Sequence, residues 1–593
     1  MKAWIDFPLE EGQRLQAQFE APLRVLRATR LSEVPRVLAA AESSARLGYW
    51  VVGCVSYEAA PAFDPALRVL SAGPGALLAC FAVYEKPVDA AATEDPANSQ
   101  EVASDDIFCK SWQASWDEAN AAQRIDLIRG GIAAGDYYQI NLTMQMGSAF
   151  EGSAEALYGR LKSSQPGAYS ALLDLGIGQI LSVSPELFFQ RRGLQITTRP
   201  MKGTAPRHAD PEADENAART LQQSVKERAE NLMIVDLLRN DLARVAETGS
   251  VQVESLFDVE AWPSVWQMTS TISAQVRDEV GLPELFGALF PCGSVTGAPK
   301  VAAMAAIEAL EDLPRGIYCG AIGVLQPGGD AVFSVAIRTV TVSQGVATCG
   351  IGSAITIDST PEGEYAEWMA KRRFLLRATA HFELLETMRL DNEGYGRLEA
   401  HIRRMMNSAA WFGFALDEGV LRQTMRAFAD QQVFGAASAP RAPLRVRVRA
   451  NRDGKLACEA YPLEPNPAEV RVRIARQPIT GDLEFISHKT THRDAYRSFA
   501  ETPEDVFDTL LFNARDELTE FTRGNFFWQE APDGMLFTPP ENCGLLPGVL
   551  RAELLSSGKV MERILNREDL GSATHLWFGN SMRGLISARL VQA

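Results

Sequence analysis

The stretch KERAENLMIVDLLRNDLARV occupies residues 226–245, and its apolar spacing decides how the chain around it is read. Leu221, Val225, Ala229, Leu232, Val235, Leu238 and Leu242 recur three and four residues apart, which predicts one helix near 214–243 with an apolar stripe facing a core. Outward from it, between 115 and 380, strand and helix patterns intermix without the regular alternation of a doubly wound sheet. That mixture predicts an α+β fold on a largely antiparallel sheet. A second helix is expected to begin at Pro361, with Thr360 as N-cap, and to run to about Ala380. Upstream, WVVGCVSYE (50–58) and ALLACFAVYE (76–85) read as buried strands of an N-terminal subregion, residues 1–85, expected to pack around the sheet. PVDAAATEDPANSQEVASDD (87–106) contains almost nothing to bury and reads as a surface loop.

After 380 a new pattern starts: the strand HFELLETMRL, an Asn-Glu-Gly turn and the helix LEAHIRRMMNSAAWFG. Two domains, 1–380 and 381–593, are therefore expected. The 593 residues, 46% hydrophobic and 22% charged, suit more than one globular core. A net charge of −17 repels a phosphate backbone or an anionic bilayer, so neither nucleic acid nor a membrane is an expected partner. Eight cysteines without a C-x-x-C pair, and six histidines, suggest neither a disulfide framework nor a zinc site. With no signal-like N-terminus, a soluble protein of the reducing cytoplasm is expected.

Several segments could carry chemistry. Glu227/Glu230 and Glu364/Glu367 are pairs spaced i, i+3, so each pair projects from one helix face; hard oxygen ligands of this kind suit Mg²⁺. The plainer reading leaves Glu364 and Glu367 in a helix first turn or paired with Lys371. FPCGSVTGAPK (290–300) is a Gly/Ser/Thr loop entering a helix expected to begin at Pro299, where backbone N–H groups can receive a carboxylate or phosphate. CGIGSAI (349–355) has Gly-x-Gly without a dinucleotide context, and a tight turn explains it equally well. In RPMKGTAPR (199–207) the charges of Arg199 and Arg207 are expected to lower the pKa of Lys202 and favour the nucleophilic free amine, the alternative being a solvated loop lysine.

Together with GDYYQINLT (135–143), SPELFF (184–189), YCGAIG (318–323), AIRT (336–339) and EGEYAEW (362–368), these segments resemble the chorismate-utilising enzymes over roughly 110–380. The resemblance implies two packed antiparallel sheets flanked by helices, as in anthranilate synthase, with the active site between the sheets. It also implies Glu186 as general acid, Glu227, Glu230, Glu364 and Glu367 as the Mg²⁺ shell, and Tyr318, Arg338, Gly350 and Gly352 as the grip on substrate carboxylates. Ser294 and Thr296 would line the same pocket. Lys202 stands where the aminodeoxychorismate synthase branch has lysine and the anthranilate synthase branch alanine; there it is thought to attack ring C2 before ammonia adds at C4. Gln139 replaces the lysine base of the isochorismate and salicylate branches, and an amide cannot deprotonate water. Gln267 replaces the histidine usual in SVWQMTST (264–271), leaving acid–base duty to Glu186. No cysteine lies in a Gly-x-Cys-x-Gly turn, so ammonia is expected from a separate glutamine amidotransferase subunit or from solution.

Residues 381–593 resemble the class IV pyridoxal-phosphate enzymes through FELLETMRL (382–390), HKTTHRDAY (488–496), ELTEFTRGNFF (517–527), GLLPGVLR (544–551) and FGNSMRGL (578–585). By that resemblance Lys489 holds the cofactor, Glu520 faces its pyridine nitrogen, and Arg404, Gly548, Val549, Asn580 and Ser581 hold its phosphate. The strand that usually precedes the FELLETMRL segment is absent, so its sheet edge is expected to need cover from the adjoining domain or from a second copy in a homodimer. Fused, the two halves imply conversion of chorismate and ammonia to 4-amino-4-deoxychorismate, then elimination of pyruvate to give 4-aminobenzoate. The rival readings are an anthranilate-type synthase joined to an aminotransferase, and a synthase carrying an inactive C-terminal scaffold.

Overall fold

The computed structural model describes all residues except 10–11, 89–107, 110–111, 177, 208–210, 262–264, 434–441, 500, 502, 504, 533 and 592–593. The loop expected at 87–106 falls outside the described residues from 89 onward. The chain forms two compact units, Met1–Thr379 and Ala380–Ala593.

In the first unit two ten-stranded antiparallel sheets are layered, counting Phe108–Cys109 and Gln113–Ala114, which pair with Gln139–Glu151 off the first order below, and Gln252–Ala261, which pairs with Val265–Gln275 off the second. One runs Gly297–Ala298, Gln139–Glu151, Val346–Ile355, Thr339–Ser343, Gln179–Ser184, Tyr169–Asp174, Lys2–Pro8, Arg14–Glu20. The other runs Met201–Pro206, Val265–Gln275, Gln195–Arg199, Leu187–Arg192, Ala331–Val335, Ala321–Leu325, Trp50–Val55, Ala79–Tyr84, Arg24–Ala28. Apolar side chains of both, among them Phe7, Leu173, Val52 and Ile322, form the layer between them. Each outer face carries a second apolar cluster, covered by helices Val34–Arg46, Val225–Ala243 and Leu282–Leu289 on one side and Glu118–Ala134, Ala154–Ser164 and Pro361–Lys371 on the other. Strands buried on both faces need no alternation, which is why WVVGCV reads as a continuous apolar run. The N-terminal subregion is woven into both sheets: Lys2–Pro8 pairs with Tyr169–Asp174, and Trp50–Val55 with Ala321–Leu325.

Four local expectations change. The helix expected at 214–243 is two helices, Pro211–Gln223 and Val225–Ala243, because Ser224 leaves helical geometry and caps the second by accepting from the Glu227 N–H at 3.3 Å. Its buried face is Asn231, Ile234, Val235, Leu238, Asp241 and Leu242; Val225, Ala229 and Leu232 of the expected stripe are exposed. The later helix begins at Pro361 under its Thr360 cap but breaks at Arg372, with a second piece at Arg373–Thr379. Pro299 is extended and serves as N-cap of Lys300–Leu310 rather than as its first residue. CGIGSAI is strand interior, not a turn.

The second unit has a four-stranded antiparallel sheet ordered Gly394–Tyr395, Leu384–Asp391, Leu444–Ala450, Leu456–Pro462. An eight-stranded mixed sheet carries the larger apolar core, including Leu510, Phe526, Trp528 and Phe578. Among the described residues, only the two-residue strand Gly394–Tyr395 and a single bridge from Leu384 to Thr490 border the outer edge of Leu384–Asp391. Among the described residues no helix is long and apolar enough to cross a membrane.

Candidate functional site

Lys202 lies in a β-bulge. The pairing of Met201–Pro206 with Val265–Gln275 slips between Met201↔Thr269 and Thr204↔Gln267, leaving Lys202 and Gly203 unmatched. Gly203 has φ +95°, and a Cβ there would press on Glu227 and Met268, so the bulge requires glycine. The carbonyl of Gly203 accepts from Gln267 Nε2 at 2.7 Å while Thr204 Oγ1 donates to Gln267 Oε1 at 3.0 Å, and Asn231 Nδ2 reaches the Lys202 carbonyl at 3.5 Å. Gln267 thus braces the bulge by the two ends of its amide.

Burial lowers the pKa of Lys202, the Lys371 charge lowers it further, and Glu230, Glu186 and Glu367 oppose both. The expected crowding by Arg199 and Arg207 does not occur. Arg199 pairs with Glu260, and Arg207 forks onto Asp214, at 2.7–3.0 Å, under the Trp266 ring.

Glu186 sits in the turn between Gln179–Ser184 and Leu187–Arg192 and is buried, with Oε1 unpartnered. Burial pushes its carboxyl up to about 7, against the opposing pull of Ser294, Lys202 and the Met201 N–H. Gln139 is fully buried, and among the described residues neither of its amide atoms has a hydrogen-bond partner. Beside it, Asn141 N–H donates to the Thr296 carbonyl at 2.8 Å, joining the Ser294/Thr296 loop to this strand.

The four glutamates share one electrostatic neighbourhood. Burial raises Glu227 and Glu230, and the Glu227–Glu367, Glu230–Glu227 and Glu230–Glu364 repulsions add to it. Glu364 accepts from Ser359 Oγ at 2.6 Å and from Ser353, while Glu367 pairs with Lys371 at 2.7 Å, which holds it below the usual range despite burial. Among the described residues no three His, Cys, Asp or Glu side chains converge closely enough to hold a metal ion.

Tyr318 and Arg338 occupy adjoining turns, where Cys319 and Arg338 have φ +62° and +48° and Cys319 N–H donates to the Ala336 carbonyl. Arg338 binds Gln165, and burial together with the Arg377 charge brings its pKa down to about 10. A Cβ at Gly350 would fall 2.2 Å from the Tyr318 ring, and one at Gly352 would fall 2.2 Å from the Leu142 carbonyl. These glycines permit close packing inside a strand. The Gly352 carbonyl accepts from Lys371 Nζ at 2.9 Å.

In the second unit Lys489 follows the helix Leu483–Ser487, and its carbonyl accepts from the Leu385 N–H at 2.9 Å. Burial, then the Arg404 charge, brings the amine down to about 8, with Arg493 adding to this and Glu386 and Glu520 opposing it. Burial pushes Glu520 up to about 7; it accepts from Tyr496 Oη at 2.6 Å and the Leu546 N–H at 3.2 Å. Arg404 forks onto Glu386, at 2.7 Å for both bonds, and reaches the Pro547 carbonyl at 3.2 Å, using three of a guanidinium's five N–H groups. Gly548 caps the helix Val549–Ser556, and a Cβ there would collide with Asn525 Oδ1 at 1.9 Å. Asn580 Oδ1 closes its turn by accepting from the Met582 and Arg583 N–H groups at 3.2 and 3.0 Å, and the Ser581 carbonyl accepts from Arg397.

The motif reading missed Asn231, Arg377, Tyr496, Asn525 and the brace made by Gln267, whereas the Lys371–Glu367 pair is the plainer reading offered for that helix. Each lies within or beside a motif, but its partner is distant in sequence.

Residues 7–377 match the family model described as chorismate binding enzyme, and residues 383–591 match that described as amino-transferase class IV. The chain is 44% identical over 261 residues to aminodeoxychorismate synthase component 1 of Salmonella typhimurium, covering 44% of this chain and 58% of that one. It is 38% identical over 275 residues to anthranilate synthase component 1 of Streptomyces coelicolor, covering 46% and 54%. The matches thus span less than two thirds of these relatives' length. The crystal structure of anthranilate synthase component I from Streptococcus pneumoniae superposes with a TM-score of 0.51 at 25% identity, over 63% of this chain and 89% of that one.

Proposed function

We propose a two-step reading for this chain, which belongs to the chorismate binding enzymes through residues 7–377 and carries an amino-transferase class IV module in residues 383–591. The first unit aminates chorismate at C4 with ammonia. The second eliminates pyruvate from the resulting 4-amino-4-deoxychorismate and releases 4-aminobenzoate, the folate precursor.

One observation carries the first step: an amine and a carboxyl that sense each other are both displaced toward neutrality, Lys202 downward and Glu186 upward. The free amine of Lys202 attacks ring C2 while the C4 hydroxyl departs with a proton from Glu186. Ammonia then adds at C4, the bond from Lys202 to C2 breaks, and the amine is restored. Gln139 presents its unpartnered amide to the substrate but cannot deprotonate water, which favours ammonia as nucleophile. Tyr318, Arg338 and the strand holding Gly350 and Gly352 take the carboxylates, with Ser294 and Thr296 closing the pocket.

Glu227, Glu230, Glu364 and Glu367 match Mg²⁺ in donor type, and a cation would relieve the burial and repulsion that raise the first two. As they stand, however, they do not converge on one point, and to hold the ion Glu364 would have to leave Ser359 and Ser353, and Glu367 leave Lys371. Mg²⁺ there would offset substrate negative charge. Ammonia comes from a separate glutamine amidotransferase subunit or from solution.

Pyridoxal phosphate fits the second unit, where a lowered lysine amine, a buried carboxylate and a glycine-capped helix entry lie on neighbouring segments. Bound there, it supplies an electron sink for chemistry at the substrate amine. Lys489, its amine brought down to about 8 by burial, would hold it and would move the proton as base and acid. Glu520, fixed by Tyr496 and the Leu546 N–H, would partner the pyridine nitrogen. The remaining N–H groups of Arg404, with Gly548, Val549, Asn580 and Ser581, hold the phosphate. We also propose that the sparsely bordered edge at Leu384–Asp391 is covered by a second copy in a homodimer.

Supplying chorismate, Mg²⁺, pyridoxal phosphate and ¹⁵N-ammonia and identifying the aromatic product tests this reading. Label in 4-aminobenzoate is expected; label in anthranilate overturns it.

A further inference from the structure

The proposed chorismate pocket is lined from segments distant in sequence, and one buried cation ties them together. Arg315, 6% exposed, lies three residues before Tyr318. Its Nη1 donates to the Val295 carbonyl at 2.8 Å, between Ser294 and Thr296, and its Nη2 to the Asn141 carbonyl at 2.8 Å, two residues from Gln139. Nε and Nη2 also fork onto Glu311 at 2.9 and 2.6 Å. Glu311 in turn accepts from the Thr143 N–H and Oγ1, at 2.9 and 2.8 Å, on the same strand as Gln139. From the N-terminal subregion, Glu58 accepts from the Arg315 and Gly316 N–H groups at 2.7 and 3.1 Å, and the Tyr57 ring lies 4.6 Å beneath the guanidinium.

We propose that Arg315, backed by Glu311, Glu58 and Tyr57, is the positioning residue that sets the spacing of the pocket, and that residues 1–85 act on chorismate binding through it. The inference rests on chorismate being the ligand. Four of the five guanidinium N–H groups reach three chain segments at once, which a lysine ammonium, a point charge without a planar fork, cannot do. None of these four side chains is assigned to the substrate above; they fix the backbone of residues that are, and Arg315 and Glu311 border one cavity with Tyr318 and Gly350. Tyr57 Oη has no partner, so only its ring serves the arrangement.

The test measures chorismate binding and steady-state kinetics of the full chain. Arg315→Lys is expected to raise the chorismate KM tenfold or more with kcat within threefold, and to leave conversion of added 4-amino-4-deoxychorismate untouched. A purely structural defect would lower the active fraction, cutting kcat at constant KM, and would overturn the proposal. Tyr57→Leu, which removes none of the guanidinium's hydrogen bonds, is expected to raise KM about threefold, and Tyr57→Phe to change nothing. If Arg315→Lys does not fold, Tyr57→Leu decides: an unchanged KM overturns the inference. A wild-type chain that does not bind chorismate refutes the functional reading instead.

Discussion

Lys202 and Lys489 are the same functional group prepared in opposite surroundings. Burial lowers both pKa values, but around Lys202 the carboxylates Glu186, Glu230 and Glu367 stand against the Lys371 charge. Around Lys489 two arginines, Arg404 and Arg493, face two carboxylates, Glu386 and Glu520. Acid excess in the first site suits a divalent cation brought in with a dianionic substrate; balanced charge with guanidinium N–H groups to spare suits a phosphate. Desolvation alone frees an amine, and the surrounding charges then select what that amine works on.

The largest expected effects separate the two halves. Lys202→Ala should reduce C4 amination by roughly 10³-fold or more and spare pyruvate elimination from supplied 4-amino-4-deoxychorismate, while Lys489→Ala should do the reverse, in parallel assays of the two half-reactions. Glu186→Gln should cost the first step roughly 10²–10⁴-fold. If Glu186, its carboxyl pushed up to about 7 by burial, acts protonated as proposed, the wild-type rate of that step should fall as pH rises through about 7, and the pH profile of the variant should lack this limb.

Stability offers a further contrast. Glu386, held down to about 2 by Arg404 and His401 despite burial, contributes stability that is complete above its ordinary pKa of 4.5 and is lost as pH falls toward 2. Glu386→Gln should therefore destabilise the second unit by about 3–5 kcal/mol at pH 7, the scale for breaking a buried pair, and calorimetric scans should show the difference shrinking between pH 4.5 and 2. The smallest effect is expected at the bulge. Gln267→Ala removes two hydrogen bonds worth about 1 kcal/mol each, so kcat of the amination should drop several-fold while the second step is unaffected.

What the sequence revealed followed the range of the interaction. The Thr360 cap, the Gly/Ser/Thr loop and the change of pattern after 380 are local, and a window of a few residues contains them. Lys202 was identifiable by type, but the cause of its lowered pKa was not. Whether Arg199 and Arg207 or Lys371 face it depends on Glu260 and Asp214 capturing the arginines, and on a register slip invisible in the strand pattern. Similarly, Gly350 and Gly352 look like turn glycines until the Tyr318 ring and the Leu142 carbonyl are seen packed on them. Asn231 and Gln267 looked like ordinary polar residues because what they hold is backbone on another strand.

The central claim is a transient bond between Lys202 and the substrate ring, and intact-mass and peptide mapping after incubation with chorismate and Mg²⁺ in the absence of ammonia tests it most directly. A chorismate-derived adduct is predicted on the peptide containing Lys202, absent from Lys202→Ala and discharged when ammonia is added. An unmodified Lys202 peptide, together with undiminished para-amination by Lys202→Ala, would contradict it.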